Sequence, residues 1–375
     1  MFIGVLYGLI AGALWGLIYV APLFVPEYHP VMVALGRFFV FGLISLPFLW
    51  MWRKQLKDFS RANILRAFTL SFFGNVIFYS ALTVSIRLAG APLAGMLMAT
   101  IPVLVALVSN WQYRKEGRAL AWGVIMPPLV AIFAGLMIAN ITEFEHFTEM
   151  ASDPVSYWIG VGFGLFAISA WTWFSIGNSE YLLEHPHQSA SMWTALQGVT
   201  NLPTSALAFF VCGWGFGWVD TAQGLLGPHP MRFLGVIFMI GLLCSWVAMI
   251  FWNGMSQRLP AGLGGQLIVF ESIFAVVYAL IWRSEWPTPT MVIGFSIVLA
   301  GVFGSLYIFR QAELTVEKGK RSPEVTQRAK EKMKAAKTVE EQKQNPTAPL
   351  GGKRLAPLPE AANVRLEAVN RKNQA

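Results

Sequence analysis

The sequence predicts an all-α membrane protein: ten transmembrane helices arranged as two inverted five-helix repeats, followed by a disordered C-terminal tail. Three observations carry this. Hydrophobic residues make up 55% of the 375 positions and charged residues 13%, about half the charged share of a soluble globular protein. Ten apolar windows each reach the length, about 20 residues, that a helix needs to cross a bilayer core. The first half of the chain also matches the second at a fixed spacing.

The windows lie near 2–25, 31–52, 64–86, 91–111, 120–141, 155–177, 190–212, 232–252, 262–282 and 290–309. The first starts at Met1 without a basic flank, so it reads as a retained helix and not a cleaved signal. Its Gly4, Gly8, Gly12 and Gly16 form a smooth stripe, suited to close helix packing or to a sliding surface. Turn residues separate the windows, as in Pro26-Glu27-Tyr28-His29-Pro30, Ala89-Gly90-Ala91-Pro92, Leu259-Pro260-Ala261-Gly262 and Trp286-Pro287-Thr288-Pro289. The runs are long and unbroken. The strands of a membrane barrel would instead alternate over about ten residues, so helices are expected. Trp50, Trp52, Trp214, Trp218, Trp282 and Trp286 fall at window ends, where aromatic belts anchor a protein in the bilayer.

Lys and Arg set the orientation. The second loop and its margins hold Arg53, Lys54, Lys57, Arg61 and Arg66, and the fourth holds Arg114, Lys115 and Arg118. The fifth loop holds Glu143, Glu145, Glu149 and Asp153 with no basic residue. Both termini are therefore expected in the cytoplasm, with the chain multi-pass in the plasma (inner) membrane. Residues 311–375 carry 14 Lys+Arg against 8 Asp+Glu, most of the net charge of +8. That tail lacks the apolar content for a core. Its basic residues suit anionic lipid headgroups and not nucleic acid.

Shifting the chain by 156 positions brings Gly4 onto Gly160, Gly8 onto Gly164, Trp15 onto Trp171, His29-Pro30 onto His185-Pro186 and Pro47 onto Pro203. Later the spacing grows to about 170, where Gly95 meets Gly265, and the long seventh loop accounts for the change. The organisation expected is a first repeat over 1–141, a second over 155–310, and the tail over 311–375. Five helices per repeat invert the second copy, an arrangement typical of secondary transporters with a site near the midplane.

Charged and polar residues inside the spans are the candidate site. Arg37 lies seven residues into the second span, about 9 Å deep at 1.5 Å per residue, and Glu271 lies near the middle of the ninth. Charge at that depth is costly and marks function by default. The two come from opposite halves. They read either as a titrating carboxylate beside an anion-holding guanidinium or as a permanent ion pair fixing two helices. Asn75, Tyr79, Gln197 and Gln266 read as interhelical hydrogen bonds or cavity lining. Trp15, Trp171 and Trp193 read as packing or as an aromatic wall for a cationic or aromatic solute.

Other chemistry is excluded. Cys212 and Cys244 form no disulfide framework, and the five histidines make no zinc spacing with them. No metal or cofactor is expected. No phosphate-cradling Gly-x-x-x-x-Gly-Lys-Ser/Thr run occurs, and no Ser or Asp meets a His at membrane depth, so the chain is not read as an enzyme.

With Trp15-Gly16, Arg37 after Pro30, Pro102, Glu116, Glu271 and Glu285 in this order, residues 4–310 resemble the drug/metabolite transporter superfamily, in its ten-helix branch with two EamA-type repeats. Ser272 stands where the family's helix 9 carries a proline after the glutamate, so a proline-driven break is not carried over. The resemblance implies export or exchange of a small organic solute such as a metabolite, amino acid or drug, by alternating access, coupled to a proton or a counter-substrate. A receptor or assembly factor that does not transport is the alternative. Substrate identity, direction and oligomeric state are not legible.

Overall fold

The computed structural model describes residues 1–115, 119–139 and 154–312. Glu116, Arg118, the acidic fifth loop and the tail beyond Ala312 lie outside the described residues.

Among the described residues, nine helices are long and apolar enough to cross a membrane: α1 Phe2–Phe24, α2 Pro30–Met51, α3 Arg61–Ala89, α5 Trp122–Ala139, α6 Pro154–Glu184, α7 Ala190–Gly215, α8 Pro230–Ser256, α9 Ala261–Arg283 and α10 Pro289–Ala312. The window at 91–111 departs from the expected single helix. It folds as two pieces, Ala91–Ala99 and Ile101–Lys115, together α4. Pro102 explains the break. It has no N–H to donate to Met98 and disfavours helical geometry at Ile101. Thr100, between the two pieces, donates its hydroxyl back to Leu97 O of the first piece at 2.6 Å.

A second break falls in α9, between Ala261–Gln266 and Val269–Arg283. Proline is not the cause. The run Ala261-Gly262-Leu263-Gly264-Gly265 is poor in helix formers, and Glu271 N donates to Ile268 O at 2.8 Å in a tight i to i−3 turn. Gly265 is pressed against α4, where an added Cβ would lie 2.2 Å from the Val105 side chain.

Among the described residues three helices widen into π turns: α3 at Phe72–Ile77, α8 at Gly241–Val247, and α7 at its end, Val211–Gly215. The end of α1 tightens instead into 3-10 turns at Leu17–Tyr19 and Ala21–Phe24, where Pro22 cannot continue an α-helix.

Packing is cross-wise. Helix α1 lies on α8 and α9, α6 lies on α3 and α4, and α2 crosses α7. Glycines set the close approaches. An added Cβ at Gly12 would lie 3.1 Å from Glu271 N, and one at Gly16 2.9 Å from Ala275 N. Gly135 of α5 meets Gly294 of α10, where the Cβ would come within 2.6 Å of the backbone.

Outside the spans, the segment after α7 folds over the first turn. The Tyr28 hydroxyl donates to Leu226 O at 2.8 Å, and the Tyr28 ring stacks on Phe233 at 4.3 Å. His29 caps α2 through Nδ1 and stacks on Trp218 at 4.3 Å. Glu27 pairs with Arg232. A hydrogen bond from its own backbone amide, together with Arg232, holds the Glu27 carboxyl below the usual range.

Candidate functional site

A cavity of about 240 Å³ lies between α1, α2, α3, α4, α6, α8 and α9. It forms where those helices leave regular geometry. The π turn of α3 presents Gly74 and Asn75, and that of α8 presents Cys244 and Ser245. The breaks of α4 and α9 contribute Ile101 and Ile268, and the 3-10 end of α1 contributes Ile18 and Tyr19. π turns concentrate at functional sites because they shift side chains out of helical register.

Arg37 and Glu271 are the charged side chains of this lining. They are not an ion pair. The Glu271 carboxylate accepts from the Tyr19 hydroxyl at 3.1 Å. Glu271 also lies in the first turn of its helix piece, where the helix dipole favours negative charge. The Arg37 guanidinium lies 4.3 Å from the Phe38 ring centroid and 5.7 Å from that of Tyr79. Arg37 is buried, and its Nε has no hydrogen-bond partner. A buried donor left unmade costs about 1–3 kcal/mol, so this guanidinium is poised for an acceptor. Tyr19 is 50% exposed while still holding Glu271. The cavity is thus open at the end bearing the first and third loops.

Aromatic rings close the other end. Trp15 and Trp171 meet edge-on at 6.4 Å, and Trp252 lies 5.0 Å and 5.7 Å from them. Beyond this floor sits a buried polar cluster. Asn178 Nδ2 donates to Asn253 Oδ1 at 2.9 Å, and Asn178 Oδ1 accepts from both Trp193 Nε1 and Gln197 Nε2 at 2.9 Å. Asn253 Nδ2 donates to Thr194 Oγ1 at 2.8 Å and to Gln197 Oε1 at 2.9 Å. The cluster ties α6, α7 and α8 together at the end opposite the opening.

Six of the nine residues singled out by the sequence therefore share one cavity: Arg37, Glu271, Trp15, Trp171, Asn75 and Tyr79. Trp193 and Gln197 sit instead in the sealed cluster. Gln266 is buried at the α9 break, its amide donating to Gly262 O at 3.1 Å. Glu285 is exposed and pairs with Arg283 at 3.1 Å. Sequence reasoning missed Tyr19 and Trp252. Tyr19 had a signal: it lies three residues past Gly16, on the face that packs on α9.

The family model for the EamA-like transporter family matches residues 2–141. Inner membrane protein YtfF of Escherichia coli (strain K12) is 36% identical over 303 residues, which span 80% of this chain and 94% of that protein. The chain belongs to the EamA-like transporter family. A protein of known crystal structure shares the fold, with a TM-score of 0.62 at 16% identity over 83% of this chain and 98% of that one. This EamA-like chain is thus a multi-pass membrane protein of a transporter superfamily, the drug/metabolite transporters, and not an enzyme. The family implies a small-molecule substrate.

Proposed function

We propose that this EamA-like chain moves a small organic solute across the inner membrane by alternating access, coupled to a proton, in the direction of export or exchange. The cavity between Arg37 and Glu271 is the site. The observation that carries this is the Arg37 donor, unpartnered among the described residues, beside a carboxylate that Tyr19 holds. An anionic or zwitterionic solute would give Arg37 its acceptor. Glu271 would then bind a proton or the solute's ammonium, and the aromatic walls would take an apolar body.

The halves 1–141 and 155–310 act as inverted repeats in this reading. Pairwise contacts support it. Gly4 meets Leu259 while Gly160 meets Ala89, and Gly8 meets Leu267 while Gly164 meets Leu97. Each swap keeps the spacings of the sequence match, and the π turns of α3 and α8 obey the same shift. The opening and the sealed cluster would exchange roles during transport. The Lys/Arg asymmetry supports cytoplasmic termini, with the sealed end inside. The basic tail would then face anionic headgroups.

Flux in proteoliposomes under an imposed pH gradient tests the reading. Glu271→Gln should abolish proton-driven flux while the protein still inserts, because Gln keeps size and loses titration. Arg37→Ala should weaken binding, most for anionic or zwitterionic solutes. Wild-type flux and pH dependence in the double variant Glu271→Leu with Arg37→Leu would remove both residues from the mechanism.

A further inference from the structure

A second crevice, about 290 Å³, opens between α3, α4 and α6, away from the central cavity. Its floor is one face of α6, on which Ser169, Trp173, Ile176 and Glu180 recur at helical spacing. One wall is α4, with Leu104, Val108 and Gln112 four residues apart. Arg66 of α3 forms the other wall. The crevice is graded. Arg66, Gln112 and Glu180 stand near helix ends, beside the basic second loop, while Leu104 and Val108 lead towards mid-membrane. Leu104 and Gln112 are eight residues apart, about 12 Å along the helix.

The polar end carries unmet hydrogen-bonding capacity of both signs. The Arg66 guanidinium lies 5.6 Å from the Trp173 ring centroid and against Gly177. It makes no hydrogen bond or ion pair among the described residues. Gln112 Oε1 and Thr172 Oγ1 are buried without hydrogen-bond partners among the described residues. Donors therefore wait at Arg66 and Thr172, and an acceptor waits at Gln112. Glu180 has an interaction of its own and adds negative charge at the same end. A phosphate alone would satisfy Arg66 but would leave Gln112 Oε1 facing an anion.

We propose that this crevice seats one membrane phospholipid whose headgroup joins a phosphate to a primary ammonium, the phosphoethanolamine class. The phosphate takes the Arg66 fork and the Thr172 hydroxyl. The ammonium takes Gln112 Oε1, on the Glu180 side. One acyl chain runs along Leu104, Val108 and Ile176. The volume equals roughly ten waters at about 30 Å³ each, which suits a headgroup, with the chains in the bilayer outside.

Native mass spectrometry of the full-length protein, titrated with phosphatidylethanolamine, phosphatidylglycerol or soluble phosphoethanolamine, tests this. One phosphatidylethanolamine should be retained about tenfold more tightly than phosphatidylglycerol, because charged hydrogen bonds are at stake. Arg66→Gln and Gln112→Leu should each erase most of that preference, and Arg66→Lys should restore part of it. Equal retention of the two lipids by the wild type overturns the proposal, as does unchanged preference in both variants. Soluble phosphoethanolamine binding as tightly as the lipid would overturn the membrane source. If a variant fails to fold, the wild-type lipid ratio still decides.

Discussion

Tyr19 is the residue on which the carboxylate's geometry turns. It supplies the hydroxyl that holds Glu271, and it does so from the loosened end of α1. Tyr19→Phe keeps the ring and removes the donor. A hydrogen bond to a charged group contributes about 1.5–3 kcal/mol. Tyr19 is half exposed, so the loss is discounted to about 1 kcal/mol, or roughly fivefold in exchange rate. The double variant with Glu271→Leu should be no slower than Glu271→Leu alone, because either change removes the same interaction. Additive losses in a proteoliposome assay would mean that Tyr19 acts elsewhere, for example directly on the solute. Arg37 has no such partner among the described residues: its guanidinium faces aromatic rings, which attract a cation without satisfying its N–H groups.

At the level of single helices, α1 is fitted to α9 by glycine. A methyl group at Gly12 would collide with the backbone of Phe270 and Glu271, which has no flexible end to yield. Gly12→Ala should therefore cost about 1–3 kcal/mol by overpacking and push Tyr19 off Glu271. Gly162 on α6 has open space around it. Gly162→Ala should leave stability equal or raise it by up to about 1 kcal/mol, since alanine is the better helix former. Thermal unfolding of the two variants in detergent compares them directly, and equal melting would refute the contact. The glycine stripe was legible in the sequence because its four-residue spacing marks one face. The π turns and the α9 break were not. A π turn leaves no periodic signature in hydrophobicity, and the sequence argument sought a proline at position 272 while glycines loosened the helix five residues earlier.

For the whole molecule, the helical membrane architecture was readable from apolar run length alone. The window at 91–111 reads as one unbroken helix and folds as two consecutive pieces, because apolar residue counting does not register the interruption at Pro102. Arg37 and Glu271 stood out because charge interrupts an apolar run. Trp193 and Gln197 could not be separated from the cavity by sequence, because a polar residue inside a span looks the same whether it faces water or another amide. Deleting 316–375 should leave insertion and flux within about twofold of wild type, with any change confined to abundance or lipid association. A truncated protein that stays monodisperse yet loses all flux would show that the tail belongs to the transport cycle.

The sealed end has a consequence for energetics. Asn178, Trp193, Thr194, Gln197 and Asn253 hold one another through neutral groups. A latch without formal charge feels neither the transmembrane voltage, which acts at about 2.3 kcal/mol per charge per 100 mV, nor proton concentration. Its opening is electrically silent. In the cycle proposed above, voltage and pH would act through Arg37 and Glu271 on the far side of the tryptophan floor, which would make the driving force and the lock separate parts of the molecule.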